Sequence, residues 1–171
     1  MITGFQLRAA KSVLGLTAKE LAEEVGIHPA TIIRLCSTKN MAYLPCNSKN
    51  IVSLIAFFKV RNISFNNDSI ANSISMNLTL STVHTENKMT RFQLKATRIA
   101  INLTQEDLSS YLKISSSTLS LLESLKNDEY IETSKIDTYA LKRFFKHTGI
   151  IFPNDLSVAL TKDPAFVAKK S

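Results

Sequence analysis

Short blocks of apolar residues at helical spacing, separated by polar corners, set the pattern of this chain. The clearest block runs from Leu103 to Glu123. Thr104 reads as a helix cap, and Leu108 and Leu112 fall on one face of the helix that follows. The pattern breaks at Lys113. Ile114 plugs the corner, Ser115 caps a second helix, and Leu119 and Leu122 are its inward positions. Two short helices joined by about three or four residues form a helix-turn-helix arrangement. The same order occurs earlier. Leu16-Thr17-Ala18-Lys19-Glu20-Leu21 leads through Glu24-Val25-Gly26-Ile27 into His28-Pro29-Ala30-Thr31-Ile32-Ile33-Arg34-Leu35, predicting helices over roughly 18–25 and 29–37.

The two blocks belong to a longer internal repeat that aligns without a gap at an offset of about 87 residues. Thr3, Phe5, Gln6, Leu7 and Ala9 match Thr90, Phe92, Gln93, Leu94 and Ala96. Leu16-Thr17, Leu21, Ile27, Thr31 and Leu35 match Leu103-Thr104, Leu108, Ile114, Thr118 and Leu122. Phe57-Phe58-Lys59 matches Phe144-Phe145-Lys146, and Ile63, Phe65 and Asn67-Asp68 match Ile150, Phe152 and Asn154-Asp155. About a third of the positions agree over some 66 residues, which chance rarely produces without gaps.

Each unit opens with a helix, capped at Thr3 in the first, with Phe5, Leu7, Ala10 and Leu14 near helical spacing. After the helix pair a loop from Lys39 to Asn47 is kept extended by Pro45. A fourth helix starts near Ser48, with Ile51, Leu54, Ile55 and Phe58 as its apolar stripe and Leu141 and Phe145 as the matching anchors. It closes at Asn62 and at Gly149, residues that tolerate the left-handed conformation. The paired phenylalanines sit mid-stripe and read as core, not as stacking platforms for bases. Alternating residues then predict a hairpin per unit: Ile63–Phe65, a turn over 66–69 and a strand over 74–80; and Ile150–Phe152, a turn over 153–155 and a strand over 156–160. The expected architecture is mainly α. A first unit spans 1–82, a linker 83–88 and a second unit 89–171, with a loose tail from about Lys162.

Composition narrows the chemistry. The 171 residues carry 21 Lys and Arg against 14 Asp and Glu, a net charge of +7 spread along the chain, which favours an anionic partner. The two cysteines, Cys36 and Cys46, are not in a CxxC pair, and the three histidines are scattered, so a reduced pair without metal is expected. With four glycines there is little material for a phosphate-cradling loop. Carboxylate pairs such as Glu23-Glu24 and Glu106-Asp107 read as solvated helix faces. No nucleophile constellation stands out, so neither an enzyme nor a cofactor is expected. No apolar run reaches the roughly 18 residues of a membrane span. The N-terminus is charged and amphipathic, unlike a secretory signal. A cytoplasmic, nucleoid-associated protein is the expectation.

On these residues the chain resembles the Cro/CI-like (XRE) family of bacterial and phage regulators, present as two tandem copies. Gln6-Leu7-Arg8-Ala9-Ala10-Lys11 with Leu14-Gly15-Leu16-Thr17 is similar to a small bacterial subgroup in which a strand pair follows the helical domain, here after Asn62-Ile63-Ser64-Phe65 and Gly149-Ile150-Ile151-Phe152. The resemblance implies two lambda-repressor-like helix-turn-helix domains that bind double-stranded DNA, each with its third helix in the major groove. It also implies dimerisation, either internally as a pseudo-dimer or between chains through the hairpin strands. Gly at the corner fits Gly26 but not Lys113. Gln at the start of helix two fits Gln105 but not Ala18. A framework pair fits Glu123 with Arg98, whereas Cys36 faces Lys11.

Outward positions of the third helices are the candidate base readers: His28, Ala30 and Arg34 in the first unit, and Ser116, Ser117 and Ser120 in the second. A guanidinium can take a guanine edge for about 1–3 kcal/mol of discrimination, although Arg34 could equally bind phosphate. Serines read bases promiscuously, bond phosphate or simply cap a helix. Thr17, Thr31, Lys39, Gln105, Thr118 and Lys126 are the candidate phosphate contacts. Exposed Ile33 and Leu121 could meet thymine methyls or mark a protein partner. A sequence-specific DNA-binding transcriptional regulator is the expectation, with a protein-interaction adaptor or antirepressor as its rival.

Overall fold

A computed structural model describes residues 1–66, 69–72 and 87–162. The first unit comprises α1 (Gly4–Val13), α2 (Ala18–Val25), α3 (Pro29–Cys36), α4 (Ser48–Val60), β1 (Ile63–Asn66) and β2 (Ser69–Asn72). The second comprises α5 (Arg91–Ala100), α6 (Gln105–Leu112), α7 (Ser116–Ser124), α8 (Thr138–His147), β3 (Ile150–Ile151) and β4 (Ser157–Leu160). The chain is mainly helical with a small antiparallel sheet.

Helix starts follow local chemistry. Thr3 with Gln6 and Thr90 with Gln93 form capping boxes at α1 and α5, and Thr17 with Glu20 and Thr104 with Asp107 do the same at α2 and α6. Each such cap contributes about 1 kcal/mol by satisfying backbone N–H groups that the helix leaves orphaned. Helix ends follow the repeat. The described residues with positive φ are Gly15 and Asn102, Gly26 and Lys113, and Asn62 and Gly149, three pairs at the repeat offset. At the corner between the paired helices the backbone is left-handed in both units, with φ 66° at Gly26 and 55° at Lys113. The geometry is therefore kept where the glycine is not.

Helices α1 and α5 form the centre. Phe5, Leu7, Ala9 and Ala10 of α1 and Phe92, Leu94, Ala96 and Ala100 of α5 have no exposed surface. The reason is that α1 packs against α3 and, more extensively than any other helix pair, against α5. Each buried phenylalanine is worth about 2–3 kcal/mol in removed apolar surface.

Polar groups tie the same contact. The Asn40 side chain donates to the Ala100 carbonyl at 3.0 Å, and Arg91 donates to the Val13 carbonyl at 2.7 Å. Each unit thus bonds the C-terminal end of the other unit's first helix. Arg8 and Arg91 occupy different repeat positions yet serve matching groups. Arg8 donates to the Cys36 carbonyl and to Asn40, and Arg91 to the Glu123 carbonyl and to Asn127. Gly4, which aligns with Arg91, cannot carry a side chain, because a Cβ there would overlap the Thr38 carbonyl.

The hairpins join in one sheet of order β1-β2-β4-β3, all antiparallel. In the central ladder Ile70 faces Val158 and Ala71 faces Ser157, and the repeat offset turns one pair into the other. That is the register of an approximate twofold axis. The outer ladders differ by one residue: Ile63 faces Asn72, whereas Ile150 faces Leu160. The first hairpin also departs from the pattern-based expectation. Its second strand begins at Ser69, inside the stretch expected to turn, because main-chain pairing on both sides overrides a polar composition. The strand expected over 74–80, residues 83–86 of the linker and the tail beyond Lys162 lie outside the described residues.

A lysine in the left-handed region is strained by roughly 1 kcal/mol, partly offset in Lys113→Gly by the looser unfolded chain. Lys113→Gly is expected to raise stability by a few tenths to about 1 kcal/mol, read as a shift in the urea midpoint. A clear loss of stability would contradict the strain.

Candidate nucleic-acid interface

The outer surfaces of α3 and α7 hold the candidate residues. On α3, Pro29 sits at the first helical position, where its missing N–H costs nothing. His28 caps the helix with its ring: Nδ1 accepts from the Ala30 N–H at 3.2 Å, which leaves Nε2 facing away. His28, Ala30, Ile33 and Arg34 are exposed, and Thr31 is half-buried. Both terminal nitrogens of Arg34 lie 3.5 Å from the Pro45 carbonyl, a long contact that leaves the guanidinium free to swing outward.

On α7 the hydroxyls are bonded among themselves. Ser115 caps the helix and contacts Ser117 at 2.9 Å and Thr118 at 2.7 Å, while Ser116 lies 3.0 Å from Ser109 of α6. A hydroxyl can donate and accept at once, so these bonds orient the serines without exhausting them. Ser120 is exposed beside Leu121, which is 67% exposed; Ile33, the counterpart of Ser120 in the other unit, is 60% exposed. Of the positions expected on the outside, Pro29, Thr31 and Thr118 are half-buried and the others are exposed. Sequence pattern did not foresee that Ser116 would meet Ser109 or that Arg34 would extend toward the Pro45 carbonyl, since neither partner is a neighbour in the chain.

Behind α7 lies a buried charge network. Arg98 donates to Glu123 through Nε at 2.5 Å and a terminal nitrogen at 2.8 Å, and its other terminal nitrogen reaches the Leu103 carbonyl at 2.8 Å. Gln105, a candidate phosphate contact, directs its amide nitrogen to Glu123 at 2.9 Å. In the first unit Lys11 donates to the Leu16 carbonyl, at 3.1 Å. Cys36 replaces the carboxylate there, and burial pushes its thiol pKa up, with Lys11 and Arg8 partly offsetting this. Burial also lowers the pKa of Lys95, reinforced by neighbouring Arg91. Thr17 and Thr104 are exposed caps, and Lys39 and Lys126 are exposed in the loops that follow α3 and α7. The two cysteines are free thiols, and among the described residues no group of three His, Cys, Asp or Glu side chains is placed to hold a metal ion.

No family model matches the chain, and no curated protein or solved structure matches it.

Removing one partner of a buried ion pair leaves the other charge uncompensated. Glu123→Ala is therefore expected to destabilise the fold by about 3 kcal/mol or more, whereas Lys11→Ala costs about 1 kcal/mol. Denaturant melts of the two variants compare them; equal losses would mean that the Arg98–Glu123 network carries no special weight.

Proposed function

We propose that this protein is a sequence-specific double-stranded DNA-binding transcriptional regulator whose two lambda-repressor-like helix-turn-helix units are carried on one chain. The observation that supports it most is the duplicated helix pair with a left-handed corner at the same place in each unit. After each corner comes a third helix whose exposed outer positions include His28 and Arg34 in one unit and Ser116, Ser117 and Ser120 in the other. In this reading α3 and α7 enter successive major grooves. Arg34 and the serines of α7 select bases, and Thr17, Lys39, Thr104 and Lys126 hold phosphates. The net charge of +7 supplies the non-specific attraction.

A second reading, a protein-interaction adaptor or antirepressor, has its own support. Ile33 and Leu121 expose apolar surface on the faces assigned to base reading. Equilibrium titration of duplex and single-stranded oligonucleotides over a range of salt separates the two. DNA reading requires duplex preference and a steep inverse salt dependence; an adaptor gives neither.

Arg34→Ala is expected to relax preference at one base position, at about 1–3 kcal/mol for the matched base. Lys126→Ala is expected to weaken all duplexes alike and flatten the salt slope by about one. Uniform weakening by Arg34→Ala in site selection would reassign that residue to phosphate.

A further inference from the structure

The outer surface of α8 carries a cationic feature made of residues that were not assigned to reading. Tyr139, Lys142, Arg143, Lys146 and His147 line an open cavity of about 280 Å³. Their spacing of three and four residues places them on one helical face. Arg143, Lys146 and His147 are exposed. Lys142 runs beneath them, its ammonium 4.0 Å from Asp155 and 5.5 Å from the centre of the Phe152 ring. Arg143 sits 5.8 Å from the centre of the Tyr139 ring. His147 Nδ1 lies 2.7 Å from the Arg143 carbonyl, which requires a proton on that nitrogen and turns Nε2 outward. Among the described residues lining the cavity there is no carboxylate, and Asp155, beside Lys142, also accepts from the Tyr130 hydroxyl.

The other unit shows what the fold itself needs at these places. At the equivalent positions α4 carries Val52, Ile55, Ala56, Lys59 and Val60, and it packs in the same role. Only the lysine recurs. Cations three and four residues apart repel along a helix, a cost that the last-turn position of Lys146 and His147 only partly offsets.

We propose that this face of α8 binds the phosphate backbone of nucleic acid, outside the contacts made by α3 and α7. The guanidinium fork of Arg143 matches phosphate oxygens, Lys146 supplies a point charge, and the Tyr139 hydroxyl and His147 add donors. This rests on the DNA-binding reading but not on base selection.

The test uses the full chain and a non-specific duplex of about 40 base pairs, with affinity measured against salt concentration. Arg143→Ala/Lys146→Gln is expected to reduce the slope of log affinity against log salt by about two, at ~0.9 per phosphate contact. Arg143→Lys is expected to restore most of the charge-dependent part. Both variants change exposed residues, and an unchanged thermal melt confirms the fold. An unchanged slope overturns the proposal. So does retention of the DNA slope with loss of polyglutamate binding, which would assign the face to an acidic protein. Site selection with wild type separates the two ideas. Sequence preference with an unchanged slope leaves the regulator reading intact and removes this one. A slope loss without any sequence preference does the reverse.

Discussion

The packing of α1 against α5 is the constraint on which the rest depends. Both helices are buried on more than one side, because each serves its own unit and the other at once. Asn40 and Arg91 then fasten the carbonyl ends of α5 and α1 across that contact. The sheet continues the same relation, with β2 against β4 in a register that the repeat offset maps onto itself. In a single chain these contacts set the separation of α3 and α7, since each of those helices packs on a member of the central pair. Pairing of the hairpins also covers one edge of each, which leaves β1 and β3 as the outer strands.

Much of this was legible from residue pattern. Caps, corners and helix stripes are local, so Thr3, Thr17, Thr90 and Thr104 announce helix starts and the repeat offset predicts where the chain turns left-handed. Lys113 held the left-handed corner despite lacking the usual glycine, because surrounding packing dictates φ there. Long-range relations were not legible. Nothing in the repeat alignment shows that Arg91, opposite Gly4, performs the task of Arg8, because a long side chain can reach the same carbonyls from another starting point. Ser69 reads as the end of a turn over 66–69 for the same kind of reason: part of its pairing lies in the other unit.

Divergence between the units is informative because the shared fold acts as an internal control. Most of the large core residues agree, such as Phe5 with Phe92, Leu7 with Leu94 and Phe58 with Phe145, while the outer surfaces do not. The α3 surface offers His28, Arg34 and a nearby Lys39, and the α7 surface offers hydroxyls and Leu121. The framework behind them differs too, with a buried ion pair in one unit and Lys11 facing Cys36 in the other. Under the proposed DNA-binding reading, two unlike outer surfaces held at one separation suit a target without internal symmetry, which distinguishes the proposed arrangement from a homodimer of identical units.

Sedimentation of the complex with its selected duplex measures that arrangement directly. One chain per site is predicted, on a duplex with two unlike half-sites about one helical turn, ~34 Å, apart. Two chains bound to a perfect palindrome, with each chain contributing a single reading helix, would contradict the internal twofold.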